Sequence, residues 1–259
     1  MQEPSAVGRI VALVRDLRQR CPWDRAQTRA TLRPYLVEEV LELDHALGGG
    51  DRGQILEELG DVLLHVAFQI VLGEETGEFG ADDLTRSVER KMWRRHPHLF
   101  GEQGDVQHSG HVEDTWEQTK LSEPGADQAS VLDGLPPTLP PLLRAFRLQE
   151  RAAGVGFDWP DAAGPLEKVH EEVEELSEEI ADATSSAAVV EDEIGDLFFA
   201  VVNLARKLGH DPRTTLEQAN AKFERRFRRI EQLAKERGLD MSQATLEDLD
   251  RLWEEVKGE

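Results

Sequence analysis

An internal repeat constrains the fold of this chain more than any other feature of its sequence. An EExxE motif begins at Glu38 and returns at Glu171, an offset of 133 positions. A second motif, ELGD from Glu58, returns as EIGD from Glu193, an offset of 135 positions. Because self-similarity at a fixed offset is typical of duplicated structural units, we predict two modules of the same fold in tandem.

Two further blocks flank the repeated motifs in the same order. Pro22-Trp23-Asp24 precedes the first copy as Gly156-Phe157-Asp158 precedes the second, and Lys91-Met92-Trp93-Arg94-Arg95 follows as Lys222-Phe223-Glu224-Arg225-Arg226 does. The segment between the copies is dense in glycine and proline, which is typical of turns and linkers. We therefore predict an N-terminal module over residues 1–104, a linker over 105–135 and a C-terminal module over 136–259.

Apolar residues follow helical spacing in both copies. They recur every three or four positions from Ile55 to Ile70 and from Ile194 to Ala205, and no convincing period-two strand is present. The fold class is therefore predicted as all-α. Gly73 is interpreted as a helix end, and the helix that follows Asp196 is expected to be largely buried.

Composition excludes several classes of protein. The 259 residues include 30 Lys plus Arg against 52 Asp plus Glu, a formal net charge of −22, which disfavours binding to nucleic acid or to an anionic membrane. One cysteine, Cys21, excludes an intramolecular disulfide and a cysteine-based zinc site. No apolar stretch approaches the roughly 20 residues that span a bilayer, and no export signal is visible, so a cytoplasmic location is expected.

The repeated motifs place carboxylates on shared helix faces. Glu171, Glu172 and Glu175 lie three or four residues apart, and Glu193 and Asp196 share a face of the next helix. Such a patch is unfavourable unless a cation neutralises it, and oxygen ligands favour Mg²⁺, or Mn²⁺, over Zn²⁺. The alternative is a solvated helix face, which repetition of both motifs makes less credible. The first copy keeps the equivalent residues, a secondary acidic cluster of Glu38, Glu39, Glu42, Glu58 and Asp61.

A basic segment follows the second acidic cluster. Lys222 and Arg226 lie four residues apart on one helix face, where they can bind phosphate oxygens. The alternative is that these cations pair only with acidic neighbours such as Glu224 and Glu231. A metal site together with a cationic site points to a polyphosphate ligand.

Other catalytic motifs are absent from the sequence or fit it poorly. There is no GxxxxGK[ST] phosphate loop, no GxGxxG after a strand and no GxSxG nucleophile motif. A di-iron helical bundle needs two ExxH motifs, and the sequence contains two such strings, Glu42 to His45 and Glu167 to His170. They fall at non-equivalent positions of the repeat, which argues against a di-iron site.

Taken together, these motifs resemble the MazG family of nucleoside triphosphate pyrophosphohydrolases, in its long two-module bacterial form. The resemblance covers nearly the whole chain. The segments that carry it are Cys21-Pro22-Trp23-Asp24, both EExxE motifs, ELGD and EIGD, Arg94-Arg95-His96-Pro97-His98, Gly154-Val155-Gly156-Phe157-Asp158-Trp159 and Lys222-Phe223-Glu224-Arg225-Arg226-Phe227.

The resemblance implies helical modules whose four-helix bundles are completed by dimerisation. It also implies Mg²⁺-dependent hydrolysis of a nucleoside triphosphate between the α and β phosphates, with broad base specificity and a role in clearing nucleotide pools. The metal ligands that it implies are Glu171, Glu172, Glu175, Glu193 and Asp196, and the catalytic glutamate that accepts the proton of water is expected among Glu172, Glu175 and Glu193. The expected substrate contacts are Lys168, Asn203, Lys222, Arg226, Trp253 and Lys257.

By the same resemblance the C-terminal module is the hydrolase. One difference between the copies favours this assignment from the residues themselves. Asn203 lies seven residues after Asp196, whereas Phe68 lies seven residues after Asp61, and an amide can bind a ligand where a phenyl ring fills the space. His65 likewise replaces Ala200. The first module is therefore predicted to be regulatory or structural.

Two other functions stay open at this point. One is a related all-α pyrophosphohydrolase with a narrower substrate, such as dUTP or phosphoribosyl-ATP, although the duplicated length argues against it. The other is a non-enzymatic acidic protein that binds a metal or a basic partner without turnover.

Overall fold

The computed structural model describes residues 5–100 and 130–258, and no strand occurs in these ranges. The all-α prediction is therefore confirmed. The chain divides into two compact units, Met1–Ser109 and Gly110–Glu259. Most of the predicted linker, residues 105–135, lies outside the described residues. No helix in the described ranges is long and apolar enough to cross a membrane.

The described helices of the first unit follow each other with short connections. They are α1 (Ala6–Arg20), α2 (Pro22–Ala26), α3 (Arg29–Gly49), α4 (Arg52–Thr76), α5 (Ala81–Arg95) and α6 (Pro97–Phe100). The EExxE motif lies on α3 and the ELGD motif on α4. Gly50 ends α3 with a φ of 72°, and Asp51 caps α4, so the two helices form a hairpin.

The second unit repeats this hairpin. Its described helices are α7 (Pro141–Gly154), α8 (Ala163–Ala181), α9 (Ala187–Lys207), α10 (Pro212–Glu236) and α11 (Leu246–Lys257). The second EExxE motif lies on α8 and the EIGD motif on α9, and these two helices pack along each other. Arg151 of α7 donates a hydrogen bond to the carbonyl oxygen of Val131 at 3.3 Å, which attaches the residues before α7 to this unit.

Gly73 is not a helix end. The helix α4 continues to Thr76, and a Cβ atom at Gly73 would lie 2.8 Å from the ring of Phe79. Glycine is needed here because the chain after α4 folds back and places an aromatic ring directly against the helix backbone. The glycine therefore marks a close approach, which sequence alone does not distinguish from a terminus.

The two units have different cores. In the first unit α1, α3 and α4 contribute the buried side chains Val11, Val14, Leu32, Ala67, Phe68, Ile70, Val71 and Leu72. In the second unit the buried cluster lies between α10 and α11 and contains Ile230, Leu233, Ala234, Leu252 and Val256. Burial of such clusters stabilises each unit through the removal of apolar surface from water.

The expectation that the helix after Asp196 is largely buried is wrong for the single chain. On α9 only Ala200, Val202 and Asn203 are buried, whereas Phe198 is 62% exposed and Val201 is 46% exposed. Helical periodicity shows that a face is apolar, but it does not show that the same chain covers that face.

Candidate active site

Three of the predicted carboxylates converge in the second unit. Glu172 and Glu175 on α8 and Glu193 on α9 each offer one oxygen, and these oxygens lie within 4.8 Å of one another. Glu172 is 4% exposed, so its carboxylate is held away from bulk water. The spacing within EExxE and the packing of α8 against α9 bring these groups together.

The remaining predicted ligands lie around this cluster. Lys168 is 2.7 Å from Glu172 and 2.9 Å from Glu171, measured from its Nζ to the nearest carboxylate oxygen. Glu171 is directed to this ion pair and does not share the three-oxygen cluster. Asp196 lies one turn after Glu193 on α9 and lines the same cavity as Glu172.

Like charges dominate the electrostatics of the cluster. Burial, together with the neighbouring carboxylates of Glu175, Glu172 and Asp196, raises the pKa of Glu193 above its ordinary value. The hydrogen bonds that Lys168 donates to Glu171 and Glu172 raise the pKa of the lysine. One lysine therefore offsets only part of the negative charge, and a divalent cation would offset the rest.

The donor set fits a hard divalent cation. Carboxylate oxygens are the ligands that Mg²⁺ prefers, and two oxygens on opposite sides of the ion lie about 4.2 Å apart. The oxygens of Glu172, Glu175 and Glu193 need only small side-chain movements to meet that span. A site without sulfur and with a single neighbouring lysine is unsuited to softer metals.

A cavity of about 470 Å³ opens next to the carboxylates. Its polar side is lined by Lys168, Glu172, Asp196, Asn203, Arg206 and Gln149. Its apolar side is lined by Leu132, Leu148, Ala152, Phe157, Trp159, Phe199 and Ala200. A concave, largely apolar space with a few converging polar groups is the usual form of a small-molecule site.

The loop between α7 and α8 closes one side of this cavity. Its Asp158 forms ion pairs with Arg206 at 2.6 Å and with Lys207 at 2.9 Å, so the loop is tied to α9. Burial would raise the pKa of Asp158, but the hydrogen bonds from Arg206 and Lys207 outweigh it and the pKa is lowered. The aspartate is therefore charged in the folded protein.

Trp159 takes its place in the loop because Gly164 has no side chain. A Cβ atom at Gly164 would lie 2.6 Å from the indole Nε1 of Trp159, so any other residue would displace the ring. The two aromatic residues Phe157 and Trp159 belong to the motif that carried the family resemblance. Their position in a cavity wall was not predicted from the sequence.

Two primary amides lie in the cavity wall. Gln149 is 6% exposed, and its Nε2 donates to the carbonyl oxygen of Phe199 at 2.8 Å. Its Oε1 is buried and has no hydrogen-bond partner in the described part of the chain. The Oδ1 of Asn203 accepts from the Nε and Nη2 of Arg206, at 3.0 and 2.8 Å. Asn203 is predictable from the comparison of the two copies, whereas Gln149 is not, since no motif marks that position.

The other predicted substrate contacts lie on α10 and α11. The guanidinium of Arg226 lies 5.8 Å from the ring centre of Trp253, which also contacts Phe223. Lys257 pairs with Glu254 at 2.9 Å, and Lys222 is exposed on α10. None of these four predicted contacts, Lys222, Arg226, Trp253 and Lys257, is among the described residues that line the cavity.

The first unit contains its own carboxylate cluster. Oxygens of Glu39, Glu58 and Asp61 lie within 4.8 Å of one another. Burial and the carboxylates of Asp61, Glu42 and Glu58 raise the pKa of Glu39. Glu38 and Glu42 line a wider groove of about 730 Å³, whose described lining contains no Phe, Tyr or Trp.

Comparison with known proteins identifies both copies of the repeat. A family model described as the MazG nucleotide pyrophosphohydrolase domain matches residues 27–100 and 165–230. A nucleoside triphosphate pyrophosphohydrolase from Escherichia coli is 41% identical over 249 residues, which cover 96% of this chain and 94% of the relative. A nucleoside triphosphate pyrophosphohydrolase/pyrophosphatase MazG from Thermotoga maritima is 40% identical over 251 residues, with the same coverage of both chains.

A third relative shows the same two-module segment inside a longer chain. The uncharacterized protein YabN from Bacillus subtilis is 43% identical over 248 residues, which cover 95% of this chain but 50% of that protein. The two-module segment is therefore similar in chains of different length.

Proposed function

Because the chain belongs to the MazG nucleotide pyrophosphohydrolase family, we propose that it hydrolyses nucleoside triphosphates to the monophosphate and pyrophosphate at the cluster of its second unit. The relatives from E. coli and T. maritima carry the name of this activity. One observation carries the assignment to the second unit. A carboxylate cluster that fits a divalent cation adjoins a cavity whose lining includes three aromatic side chains.

The carboxylates of Glu172, Glu175 and Glu193, with Asp196 beside them, would hold Mg²⁺ or Mn²⁺. Such an ion polarises phosphoryl oxygens and lowers the pKa of a bound water. A glutamate of the cluster that is not fully engaged as a ligand accepts a proton from the attacking water. The water oxygen then bonds to phosphorus, the α–β anhydride bond breaks, and pyrophosphate leaves.

Lys168 is suited to hold a phosphate oxygen at the mouth of the cluster. Its ammonium group already lies between two carboxylates and lines the cavity. A triphosphate that enters the cavity brings negative charge towards Glu172, and the lysine offsets that repulsion. Lys222 and Arg226 stay proposed phosphate contacts, as do Trp253 and Lys257 at the nucleotide, on the strength of the sequence motif.

We also propose that the chain acts as a homodimer. The support is the uncovered apolar face of α9, where Ile194, Phe198 and Val201 are each at least 40% exposed. Phe223 of α10 is also exposed in the single chain. Apolar surface of this kind is stabilised when a partner covers it.

The remaining assignments rest on composition and resemblance. They are broad base specificity, a role in clearing nucleotide pools, a cytoplasmic location, and an absence of stable partners among nucleic acids and membranes. The first unit is proposed to be non-hydrolytic, since the groove beside its cluster has no aromatic side chain in its described lining.

The test is to incubate the pure protein with ATP and Mg²⁺ and to separate the products by ion-exchange chromatography. We expect AMP and pyrophosphate, and we expect no product without Mg²⁺ or with Glu172→Gln. Glu178→Gln is the matched control, because Glu178 lies on the same helix but outside the cluster. Release of ADP and phosphate, or full activity of Glu172→Gln, would contradict the proposal.

A further inference from the structure

We propose that Gln149 and Asn203 determine recognition of the nucleobase, by hydrogen bonding to its Watson–Crick edge within the cavity of the second unit. The proposal rests on the proposed function, because the cavity adjoins the cluster that would hold the triphosphate. It makes Gln149, which no motif marks, a hydrogen-bond acceptor for the base, and it makes the amide nitrogen of Asn203 the donor.

The lining of the cavity suits an aromatic ring system. Phe157, Trp159 and Phe199 contribute aromatic surface to its lining, and Glu172 and Asp196 contribute carboxylates. Because aromatic side chains stack on any base, this wall can bind a base without selecting one. A triphosphate whose phosphates lie at the carboxylates therefore has its base directed to the aromatic wall.

Gln149 has a buried acceptor, Oε1, that finds no hydrogen-bond partner among residues 5–100 and 130–258. Its orientation is set by the hydrogen bond from Nε2 to the carbonyl oxygen of Phe199, which leaves Oε1 on the opposite side of the amide. A buried acceptor without a partner is unfavourable, so a ligand that supplies an N–H donor is favoured there. Every standard base carries such a donor on its Watson–Crick edge.

Asn203 complements this acceptor with a donor. Arg206 has only donors, so the Asn203 atom that faces it is Oδ1 and the amide nitrogen points away from it. Arg206 is itself held by Asp158 at 2.6 Å, which fixes the orientation of the asparagine amide through the guanidinium. The pair thus offers one acceptor and one donor, which adenine, guanine, cytosine and uracil can all match on this edge.

This arrangement has a consequence that separates it from simple stacking. Any standard base is accepted, but a base that has lost the N–H of its Watson–Crick edge is rejected. The comparison of UTP with 3-methyluridine triphosphate isolates this requirement, because the two differ only by a methyl group in place of the N3 hydrogen. A site built to hydrogen-bond its substrate discriminates strongly against an analogue that lacks the group.

The test measures kcat/KM for UTP and for 3-methyluridine triphosphate with the full-length protein. We expect the native protein to prefer UTP by about a hundredfold. Gln149→Met removes the acceptor and is expected to reduce this preference to less than about threefold, with most of the loss in UTP turnover appearing in KM. Gln232→Met is the matched control, since Gln232 lies on α10 outside the cavity and should keep the native preference.

A second variant keeps the result interpretable if Gln149→Met unfolds. Ala152→Leu fills the cavity but leaves the bond from Gln149 to Phe199 in place, and it should also weaken UTP turnover and the preference. Retention of the native preference in folded Gln149→Met would overturn the proposal, because the discrimination would then be a steric effect of the methyl group.

A binding measurement separates failure of this inference from failure of the proposed function. Calorimetric titration with UMP and with ribose 5-phosphate needs no hydrolysis. Tighter binding of UMP that is lost in Gln149→Met supports base recognition even if no triphosphate is cleaved. Equal binding of the two ligands by the native protein overturns it, even if triphosphates are hydrolysed.

Discussion

Both units have a cluster of three carboxylates, built from partly different positions of the repeated motifs, and they differ further in the space beside it. In the second unit Asn203 and Ala152 border an open cavity. In the first unit Phe68 replaces the asparagine, is 4% exposed, and packs with Val11 and Val14 of α1. We therefore propose that the acidic motifs supply the metal ligands, while the residues opposite them determine whether a nucleotide can lie next to the metal.

Arg18 on α1 is a second position at which the first unit has a larger side chain than the second unit. Asp24 and Asp158 are equivalent in the repeat, an offset of 134, and the same offset places Arg18 at the position of Ala152. Arg18 is buried, donates to the carbonyl oxygen of Asp24 at 2.6 Å and pairs with Glu75 at 2.7 Å. At this position the first unit thus has a hydrogen-bonded arginine side chain, where the second unit has only the methyl group of Ala152.

The largest difference is expected when the second glutamate of each EExxE motif is neutralised, which is buried in the second unit and half-buried in the first. Glu172→Gln should lower kcat about a thousandfold, because loss of one metal ligand removes several kcal/mol of transition-state stabilisation. Glu39→Gln, the equivalent change in the first unit, should leave turnover within about twofold. Pyrophosphate release under saturating substrate measures both, and a comparable collapse in Glu39→Gln would show that both units work.

The next largest effect is expected when Asn203 of the second unit is replaced by the phenylalanine that the first unit has at the equivalent position. Asn203→Phe should lower kcat/KM for ATP by about a hundredfold, because the ring fills the cavity and removes a polar contact. Metal binding, measured by titration with Mn²⁺, should persist, since the carboxylates are unchanged. Native kcat/KM in this variant would mean that the nucleotide binds elsewhere.

The reverse exchange is expected to affect stability and not activity. Phe68→Asn leaves a cavity and a buried amide in the core of the first unit, which should cost about 3 kcal/mol of unfolding free energy. Urea unfolding measures this loss, and hydrolysis by the folded fraction should stay at the native rate. Acquisition of a second nucleotide site by this variant would show that Phe68 alone blocks the first unit.

The smallest expected effect is on the stability of the metal-free protein, through the negative charge of its two carboxylate clusters. The pKa of Glu193 and that of Glu58 are both raised, by burial and by neighbouring carboxylates, so each folded unit binds a proton more tightly than the unfolded chain does. Stability in chelator therefore falls as pH rises from the ordinary glutamate pKa to the raised one.

Glu193→Gln and Glu58→Gln should accordingly raise the Tm of the metal-free protein at neutral pH. The gain should vanish below about pH 4, where the native carboxyl groups are also neutral. Thermal unfolding in chelator at both pH values measures this. A lowered Tm at neutral pH would show that neighbouring protein groups already stabilise the charged carboxylates without a bound cation.

The carboxylate cluster could be predicted from the sequence because its residues lie close together along the chain. Glu172 and Glu175 lie on one helix, and repetition of both motifs linked them to Glu193. The position of Asn203 was also predicted, from the comparison of the two copies. These inferences need only helical geometry and the order of the motifs.

The rest depended on contacts between distant segments. Gln149 became part of the cavity because α7 packs on α9, and the Asp158 ion pairs join residues 48 and 49 positions apart. The burial of α9 was overestimated because an apolar stripe does not specify whether this chain or a partner covers it. Gly73 was misread because close packing and helix termination both favour glycine.

Binding stoichiometry tests whether only the second unit takes a nucleotide, although both units hold a metal-capable carboxylate cluster among their described residues. Calorimetric titration of the native protein with a triphosphate analogue that has a methylene group between the α and β phosphorus atoms, in the presence of Mg²⁺, counts the sites without turnover. We expect one nucleotide per chain, with binding kept in Glu39→Gln and lost in Asn203→Phe. Two nucleotides per chain, or one that is lost in Glu39→Gln, would contradict it.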